Sequence, residues 1–157
     1  MRELVLALLL ACAPVTAPRA AACTAAPPAA ERGALDEINR FRARNDRPPL
    51  CYNSRIDAAA HWLARDMAAK DYFSHTDGLG RDGGRRLAAF GYAWRWWGEN
   101  IAAGYATWHT AIVTWERSPE HRANLLSPHF REIGLGRAYR AGSTYGTYWT
   151  ADFGARR

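Results

Sequence analysis

The first half of the chain repeats apolar residues at two places with the spacing of an amphipathic helix. The first helix is predicted to begin at Ala34 and to stop before Pro48 and Pro49, because a proline disfavours the helical conformation of the residue before it. Its apolar face comprises Leu35, Ile38 and Phe41. The second helix is predicted to open at Ser54, a good N-cap residue with Asp57 three positions later. Its apolar stripe comprises Ile56, Ala60, Leu63 and Met67.

Shorter elements follow in the pattern of apolar and turn-forming residues. Residues 71–84 form a loop rich in Gly and Asp that lacks the Gly-Lys-Ser/Thr of a phosphate-binding loop. A short helix over residues 85–90 then closes at Gly91. Thr107 can cap a further helix, and a proline can take the first position of a short helix over residues 119–126. The apolar stripe of the helix that Thr107 caps comprises Trp108, Ala111, Ile112 and Trp115.

Three segments read as β-strands, over residues 96–104, 132–139 and 147–153. The Gly- and Ser-containing link over residues 140–146 predicts that the last two form an antiparallel pair. Helices that are segregated from one antiparallel sheet are typical of an α+β fold in which the helices cover the sheet. We therefore expect one α+β domain.

Glu99 stands out within the first of these strands, since it is the only acid between Asp82 and Glu116. In a strand its side chain would share a face with Trp97, among aromatic and small residues. A carboxylate on an apolar face needs a cation or hydrogen-bond donors, or it takes up a proton. The alternative is a turn over residues 98–100 that exposes Glu99 to water.

Composition narrows the class of protein. The chain has 157 residues with 48% hydrophobic content, enough for one packed domain. Beyond the N-terminus it has no apolar run of about 18 residues or more, so no membrane span is expected in the mature chain. The formal net charge is +6, but the arginines are scattered from Arg32 to Arg157 without a basic stripe. We therefore expect no specific nucleic-acid binding, and we expect a monomer.

The first 22 residues have the pattern of a secretory signal peptide. Arg2 provides a minimal positive region, residues 4–10 are apolar, and Ala20-x-Ala22 resembles a cleavage site. We exclude residues 1–22 from the fold, treat residues 23–33 as a lead-in, and assign residues 34–157 to one domain. The protein is then expected to be secreted or periplasmic, where disulfides are possible.

The cysteines allow two modifications that are compatible with each other. Cys23 and Cys51 remain after the leader is removed, and an even count in an exported chain predicts a disulfide between them. The second modification is lipidation, since Leu9-Leu10-Ala11-Cys12 resembles a lipobox that would make Cys12 a lipid anchor.

Two histidines could join Glu99 in a site. His75 lies in the Gly/Asp-rich loop, and His121 lies in the first turn of the short helix after Pro119, where the helix dipole favours a neutral ring. Two imidazoles and a carboxylate are a common ligand set for a divalent cation such as zinc. Sequence separation does not show that they meet, and each histidine could instead be a surface or core residue.

Four short motifs occur in an order that resembles the motif series of the CAP superfamily: Phe73-Ser74-His75; Gly98-Glu99-Asn100; Trp115, Ser118-Pro119, His121-Arg122 and Asn124-Leu125-Leu126; and Ile133-Gly134-Leu135-Gly136. This is the family of cysteine-rich secretory proteins, antigen 5 and pathogenesis-related 1 proteins, here similar to its compact bacterial SCP-like form. The resemblance runs from about Leu35 to Phe153, which is nearly the whole mature chain.

The resemblance implies an α-β-α sandwich with a central antiparallel sheet flanked by helices. It also implies a surface cleft lined by two histidines and acidic residues, which binds divalent metal such as zinc in some members. Carried over by motif, the histidines are His75 and His121, the first acid is Glu99, and Asn100 lies beside it.

The acidic part of the cleft departs from the family pattern. The full tetrad has a second acid shortly after the tryptophan of the helix, and counting from Trp115 that position is Ser118. Glu116 and Glu120 are close in sequence but offset. The tetrad is therefore expected to be incomplete, which weakens any inherited metal-binding or catalytic role.

The leading hypothesis is an exported protein whose cleft binds a small molecule, a lipid or a component of the cell envelope. An aromatic set near the Gly-Glu-Asn motif could line an apolar groove; it comprises Tyr92, Trp94, Trp96, Trp97 and Tyr105. The alternative explanation of these rings is core packing.

Two other hypotheses remain open. In a metal-assisted hydrolase, His75 and His121 would hold zinc, and Glu99 would ligate it or activate water. A nucleophilic Ser118 or Ser74 is less favoured, because neither lies in a Gly-x-Ser-x-Gly elbow. In the third hypothesis Glu99 hydrogen-bonds both rings and the triad only ties the fold together.

Overall fold

The computed structural model describes residue 23 and residues 25–157. The predicted signal peptide and Cys12 lie outside the described residues. The elements are α1 (Ala29–Ala43), β1 (Cys51–Tyr52), α2 (Ser54–Lys70), α3 (Gly83–Ala89), β2 (Trp94–Ala103), α4 (Trp108–Arg117), α5 (Pro119–Leu125), β3 (Glu132–Tyr139) and β4 (Thr147–Arg156). Within residues 25–157, no helix combines the length and the apolar character that a membrane crossing requires.

The four strands form one sheet in the order β1-β3-β4-β2. Strands β3 and β4 are antiparallel, as the turn between them predicts, and β2 joins the other side of β4, also antiparallel. The two-residue strand β1 pairs in parallel with β3, and the sequence did not predict it because two residues show no periodicity. The order leaves β2, which carries Glu99, at one edge of the sheet.

Side chains alternate between two cores, one on each face of the sheet. On one face, Tyr148 of β4 and Ile101 of β2 pack against Leu63 and Met67 of α2. On the other face, a larger cluster joins the sheet to α1, α4 and α5, and from β4 it includes Trp149, Ala151 and Phe153. The predicted α-β-α sandwich is therefore confirmed.

The alternation also explains the Ile-Gly-Leu-Gly motif of β3. Ile133 and Leu135 are buried in the larger core. The glycines between them face α2, and a Cβ on Gly134 would lie 2.0 Å from the backbone nitrogen of Asp57. A Cβ on Gly136 would lie 2.3 Å from the backbone of Ala60. Helix α2 thus lies directly on the sheet because these two positions have no side chain.

Three helix starts differ from the prediction, and one of them is α3, which begins at Gly83 rather than Arg85. Helix α1 begins at Ala29 rather than Ala34, so the end of the expected lead-in is helical. The N-cap of α2 is Asn53 rather than Ser54: its Oδ1 accepts hydrogen bonds from the backbone N–H groups of Arg55 (3.0 Å) and Ile56 (3.3 Å). The observed cap lies one residue before the predicted one, because asparagine and serine are both good N-cap residues and the sequence pattern does not distinguish them.

The predicted disulfide between Cys23 and Cys51 is present, with the two Cα atoms 5.2 Å apart. Cys51 is the first residue of β1, which is held to β3 by the hydrogen bond from its N–H to the carbonyl of Arg131 (2.9 Å). The bond therefore ties the segment before α1 to the sheet.

Candidate functional site

The Gly-Glu-Asn motif lies on the edge strand β2, and two successive side chains hold two different walls. Glu99 points to the face covered by α2 and α3, where its Oε1 lies 2.6 Å from Nδ1 of His75. Asn100 points to the opposite face, where its Nδ2 donates to the carbonyl oxygen of His121 (3.0 Å). The walls that carry the two histidines therefore meet along the edge of β2.

Glu99 is buried, with 6% of its surface exposed. Its Oε2 contacts the guanidinium of Arg86, which is fully buried on α3 and also lies 3.7 Å from Asp77. Burial raises the pKa of the Glu99 carboxyl, while the charge of Arg86 and a hydrogen bond with Asp152 lower it. No sequence pattern distinguished Arg86 from the other arginines, although an arginine inside a short amphipathic helix can serve as the cation for a buried acid.

Asp152 of β4 stands directly opposite Glu99 in the ladder and is 1% exposed. Neither of its oxygens has a hydrogen-bond donor among the described residues, so it can bond Glu99 only if one carboxyl holds a proton. Burial and the charge of Glu99 raise the pKa of Asp152 well above its ordinary value. The nearby charges also favour a neutral Asp152. The two arginines, Arg81 and Arg86, already form ion pairs with the two carboxylates of Asp77 and Glu99, so within residues 25–157 no nearby cation is left for a third carboxylate. Asp152 is therefore the protonated partner.

The loop that carries His75 is held by two buried aspartates. The Oδ1 of Asp77 accepts from the N–H groups of Leu79 and Arg81, both at 2.9 Å. The Oδ2 of Asp66 accepts from the N–H of Gly78 at 2.8 Å. Burial alone would raise the pKa of each aspartate, but these hydrogen bonds and their basic partners outweigh it and lower both pKa values. The loop therefore presents His75 from a fixed backbone.

His75 itself is the most accessible member of the site, with 58% of its side chain exposed. Its Nδ1 donates to Glu99, since an ionised carboxylate can only accept, and Nε2 is left for solvent or a ligand. Partial burial and the charge of Arg86 lower the pKa of His75, so the ring is neutral at pH 7.

His121 lies in the first turn of α5, and its Nδ1 is 2.8 Å from Oγ of Ser118. Burial lowers the pKa of His121, and charge on His75 lowers it further. The hydroxyl–imidazole contact is one that a serine nucleophile needs, but among the described residues no carboxylate hydrogen-bonds this ring. Ser74 instead accepts a hydrogen bond from the N–H of Thr76 in its own loop.

A cavity of about 240 Å³ lies beside His121 along the edge of β2. Residues 101–103 of β2 form its floor. Phe73 and Tyr145 stand on one side, with ring centroids 5.8 Å apart, and Trp115 and His121 stand on the other. His75, Glu99, Asn100 and Ser118 do not line the cavity; they lie beside it and hold its walls.

The five rings that could line an apolar groove do not share one groove. Only Tyr105 lines the cavity. Tyr92 and Trp94 line a separate groove near α3, and Trp97 packs edge-on against Trp94 with centroids 6.2 Å apart. Trp96 is exposed and stacks on His129. These rings lie before β2 or in its first four residues, whereas the cavity is at residues 101–103 and uses rings from other segments.

The two positions offset from the missing acid do not replace it. Glu116 lies 4.0 Å from Arg44, Glu120 is exposed in the first turn of α5, and neither lines the cavity. The tetrad of the resembled family is thus short of one acid, and the seryl group of Ser118 holds His121 in its place.

The donor set offers a metal ion two imidazoles. Glu99 uses one oxygen for His75 and the other for Arg86, so it orients a histidine rather than acting as a ligand. Among residues 25–157, no group of three or more His, Cys, Asp or Glu side chains is arranged to hold a metal. Catalytic zinc sites use three protein ligands and an open position. The residues present do not fit such a site.

Comparison with known proteins gives a consistent result. The family model described as "Cysteine-rich secretory protein family" matches residues 35–153. Protein YkwD of Bacillus subtilis is 31% identical over 144 residues, which cover 90% of this chain and 54% of YkwD. The membrane protein YlbC of the same organism is 28% identical over 106 residues, 68% of this chain and 31% of YlbC. The chain thus spans about half or less of these relatives.

Solved structures share the fold. An extracellular protein containing an SCP domain from Bacillus anthracis aligns with a TM-score of 0.71 and 30% identity, covering 80% of this chain and 39% of the other. An outer surface protein from Borrelia burgdorferi aligns with the same TM-score and 20% identity, covering 78% of this chain and 90% of the other. The second similarity concerns the fold alone.

Proposed function

The chain belongs to the cysteine-rich secretory protein (CAP) family, and on that premise we propose that it is an extracellular domain that binds a small ligand in the cleft along β2. The observation that carries the proposal is the cavity of about 240 Å³, with aromatic rings on both sides and His121 in its wall. Binding sites for small molecules are typically apolar clefts with a few well-placed polar groups. At about 240 Å³ the cavity is smaller than the roughly 300–1,000 Å³ of typical ligand pockets, so it fits one group of a larger ligand.

The polar end of the site supports binding in a fixed orientation. His75 and His121 are both neutral at pH 7. The Nε2 of His75 can accept a hydrogen bond or ligate a cation because its Nδ1 donates to Glu99, and the Nε2 of His121 can do the same in the tautomer whose Nδ1 donates to Ser118. Glu99 and Ser118 hold the rings by their Nδ1 atoms. A ligand that places its apolar part in the cavity would meet these nitrogens with its polar part.

An extracellular location is supported by three observations. The similar protein from Bacillus anthracis is described as extracellular. The bond between Cys23 and Cys51 is of a kind that persists in oxidising compartments. The first 22 residues have the composition of an export signal. Detection of the protein in culture medium or periplasm, with its N-terminus sequenced, tests this part of the proposal and the alternative anchor at Cys12.

The binding proposal is tested by titrating the labelled protein with fatty acids, envelope glycans and short peptides while recording amide NMR shifts. We expect at least one class to shift residues around the cavity, and Ala103→Phe to abolish the shifts by filling it. Ala69→Phe is the matched control, because Ala69 lines a different groove beside Trp62. Binding that survives Ala103→Phe, or no binding by any class, would overturn the proposal.

A hydrolase is the second candidate, favoured by one observation: Glu99 orients His75 as a carboxylate orients a catalytic imidazole. The contact between Ser118 and His121 adds a hydroxyl near the cleft. Assays on ester and peptide substrates, with His75→Ala and His121→Ala, test it. Turnover by the parent protein that is lost in both variants would support a hydrolase, and equal turnover in all three would exclude these residues.

A further inference from the structure

The backbone of β2 presents hydrogen-bonding groups to the cleft. The N–H of Gly104 donates to the carbonyl of Thr147 (2.9 Å), so the even-numbered residues of β2 pair with β4. In an antiparallel ladder, the alternate residues then direct both N–H and C=O away from the partner strand. Those outward residues of β2 are Trp97, Glu99, Ile101 and Ala103.

Two helices cover only part of this edge. From α5, Nδ2 of Asn124 donates to the carbonyl of Glu99 (3.1 Å). From α4, Nε1 of Trp115 donates to the carbonyl of Ile101 (3.1 Å). Both contacts come from outside the sheet, which agrees with the alternation derived from Gly104.

Six outward groups remain, and three of them belong to residues that line the cavity: the N–H of Ile101, and the N–H and C=O of Ala103. Within residues 25–157 none of them has a hydrogen-bond partner. They belong to Ile101 and Ala103, which are among the residues that line the cavity. The strand ends immediately afterwards, because Gly104 takes φ +79° and turns the chain away. The cavity floor is therefore a short open strand edge.

We propose that the cleft binds an extended peptide segment by pairing its main chain with Ile101 and Ala103. The inference rests on the proposed binding function and names its ligand class. One ligand residue would exchange two hydrogen bonds with Ala103, and a carbonyl two residues away would accept from the N–H of Ile101. Ligand side chains would alternate between the wall of Phe73 and Tyr145 and the wall of Trp115 and His121.

The pattern of donors and acceptors favours a peptide over an acyl chain. The N–H groups of Ile101 and Ala103 are two residues apart on a strand, about 6.8 Å, which is the repeat of an extended peptide. An acyl chain in the same place would leave all three groups without partners, and a buried unpaired group is unfavourable. The small side chains of Ala102 and Ala103 leave space beside the edge.

The test uses blocked tetra-alanine as the peptide probe, decanoate as the acyl probe and a chitin oligomer as the glycan probe. With the peptide we expect shifts and slowed hydrogen exchange at the amides of Ile101 and Ala103. N-methylation of the peptide, scanned along its length, is expected to lower affinity about fivefold to tenfold at the position that pairs with Ala103.

Ala103→Pro removes the outward N–H of Ala103 without removing a bond to β4, since that N–H faces the cleft. Ala103→Val is the matched control, because it adds similar volume and keeps the N–H. We expect weaker peptide binding by the proline variant than by the valine variant. If the proline variant does not fold, the N-methyl scan and the exchange measurement on the parent protein decide the question.

The outcomes separate this inference from the general binding proposal. Binding of decanoate or the chitin oligomer without binding of the peptide would overturn the peptide inference and leave the cleft as a ligand site. Peptide binding that is indifferent to N-methylation at every position would also overturn it. No binding of any probe would count against both.

Discussion

Replacing Asp152 by Asn measures how the proton bound to Asp152 affects the stability of the fold. Asp152 is 1% exposed and faces the ionised Glu99 across the ladder, so its carboxyl stays protonated and donates to that carboxylate. Asparagine has nearly the same shape and donates an N–H to the same oxygen without binding a proton. The two side chains therefore differ mainly in whether folding must take up a proton.

The magnitude follows from the ordinary pKa of an aspartate, about 3.9 in an unfolded chain. Keeping that carboxyl protonated at pH 7 costs about 4 kcal/mol, from about three pH units at about 1.36 kcal/mol each. A second N–H of the asparagine that is left without an acceptor costs about 1–3 kcal/mol. The variant should therefore be more stable than the parent by about 1–3 kcal/mol at pH 7.

The difference must change sign with pH. Because the pKa of Asp152 is raised by burial, the folded parent binds more protons than the unfolded chain, and its stability falls as pH rises above about 3.9. Near pH 4 the uptake of a proton by the parent costs almost nothing. The difference in stability then depends only on the unpaired N–H of the asparagine in the variant. Asp152→Asn should then be less stable than the parent by about 1–3 kcal/mol.

The assay is urea unfolding of both proteins at several pH values between 4 and 7. Thr150→Val is the matched control: Thr150 is two residues away on β4 and fully buried, and its hydroxyl has no hydrogen-bond partner in the part of the chain that the structure describes. The control should shift stability by the same amount at every pH. A parent more stable than Asp152→Asn at pH 7, with the difference shrinking toward pH 4, would mean that Asp152 is ionised and would refute the reasoning.

Three further predictions concern the disulfide, the loop and the metal. Removing the bond between Cys23 and Cys51, which closes a 28-residue loop, should cost about 3.5 kcal/mol of unfolding free energy in urea, and no change would contradict it. Hydrogen bonds lower the pKa of Asp66, so its contribution to the free energy of unfolding is present above about pH 4 and is lost at lower pH. In Asp66→Asn, the free energy of unfolding should therefore change less with pH in that window. In equilibrium dialysis the parent should bind zinc weakly at most, because two imidazoles do not complete a zinc site; tight binding that is lost in both His75→Ala and His121→Ala would contradict this.

Local patterns predicted the parts of the fold that short-range chemistry determines. The stripe from Ile56 to Met67 predicted α2, and the turn between β3 and β4 predicted their pairing. The motif series located the same span, residues 35–153, that the family model matches. These features depend on residues within about ten positions of each other, which is the range over which periodicity and turn signals act.

The residues that contact Glu99 could not be predicted from such local patterns. Asp152 lies 53 positions later, and only the register of β2 against β4 brings the two carboxyls together. Arg86 is adjacent to Arg85 in sequence, yet one is buried and the other exposed, a distinction that depends on which face of α3 meets the sheet. Long-range register and helix rotation are set by packing of the whole domain.

The Gly-Glu-Asn motif can now be explained by one geometric fact, which is that an edge strand has two faces and an open side. Glu99 holds the His75 loop from one face, and Asn100 holds α5 from the other. Gly98 has no side chain because a Cβ there would lie 2.6 Å from the ring of Phe130. Both walls are fixed at residues 98–100, and beyond them Trp115 covers only the carbonyl of Ile101 on the open side of the strand. The other outward groups of Ile101 and Ala103 are where a ligand can bind.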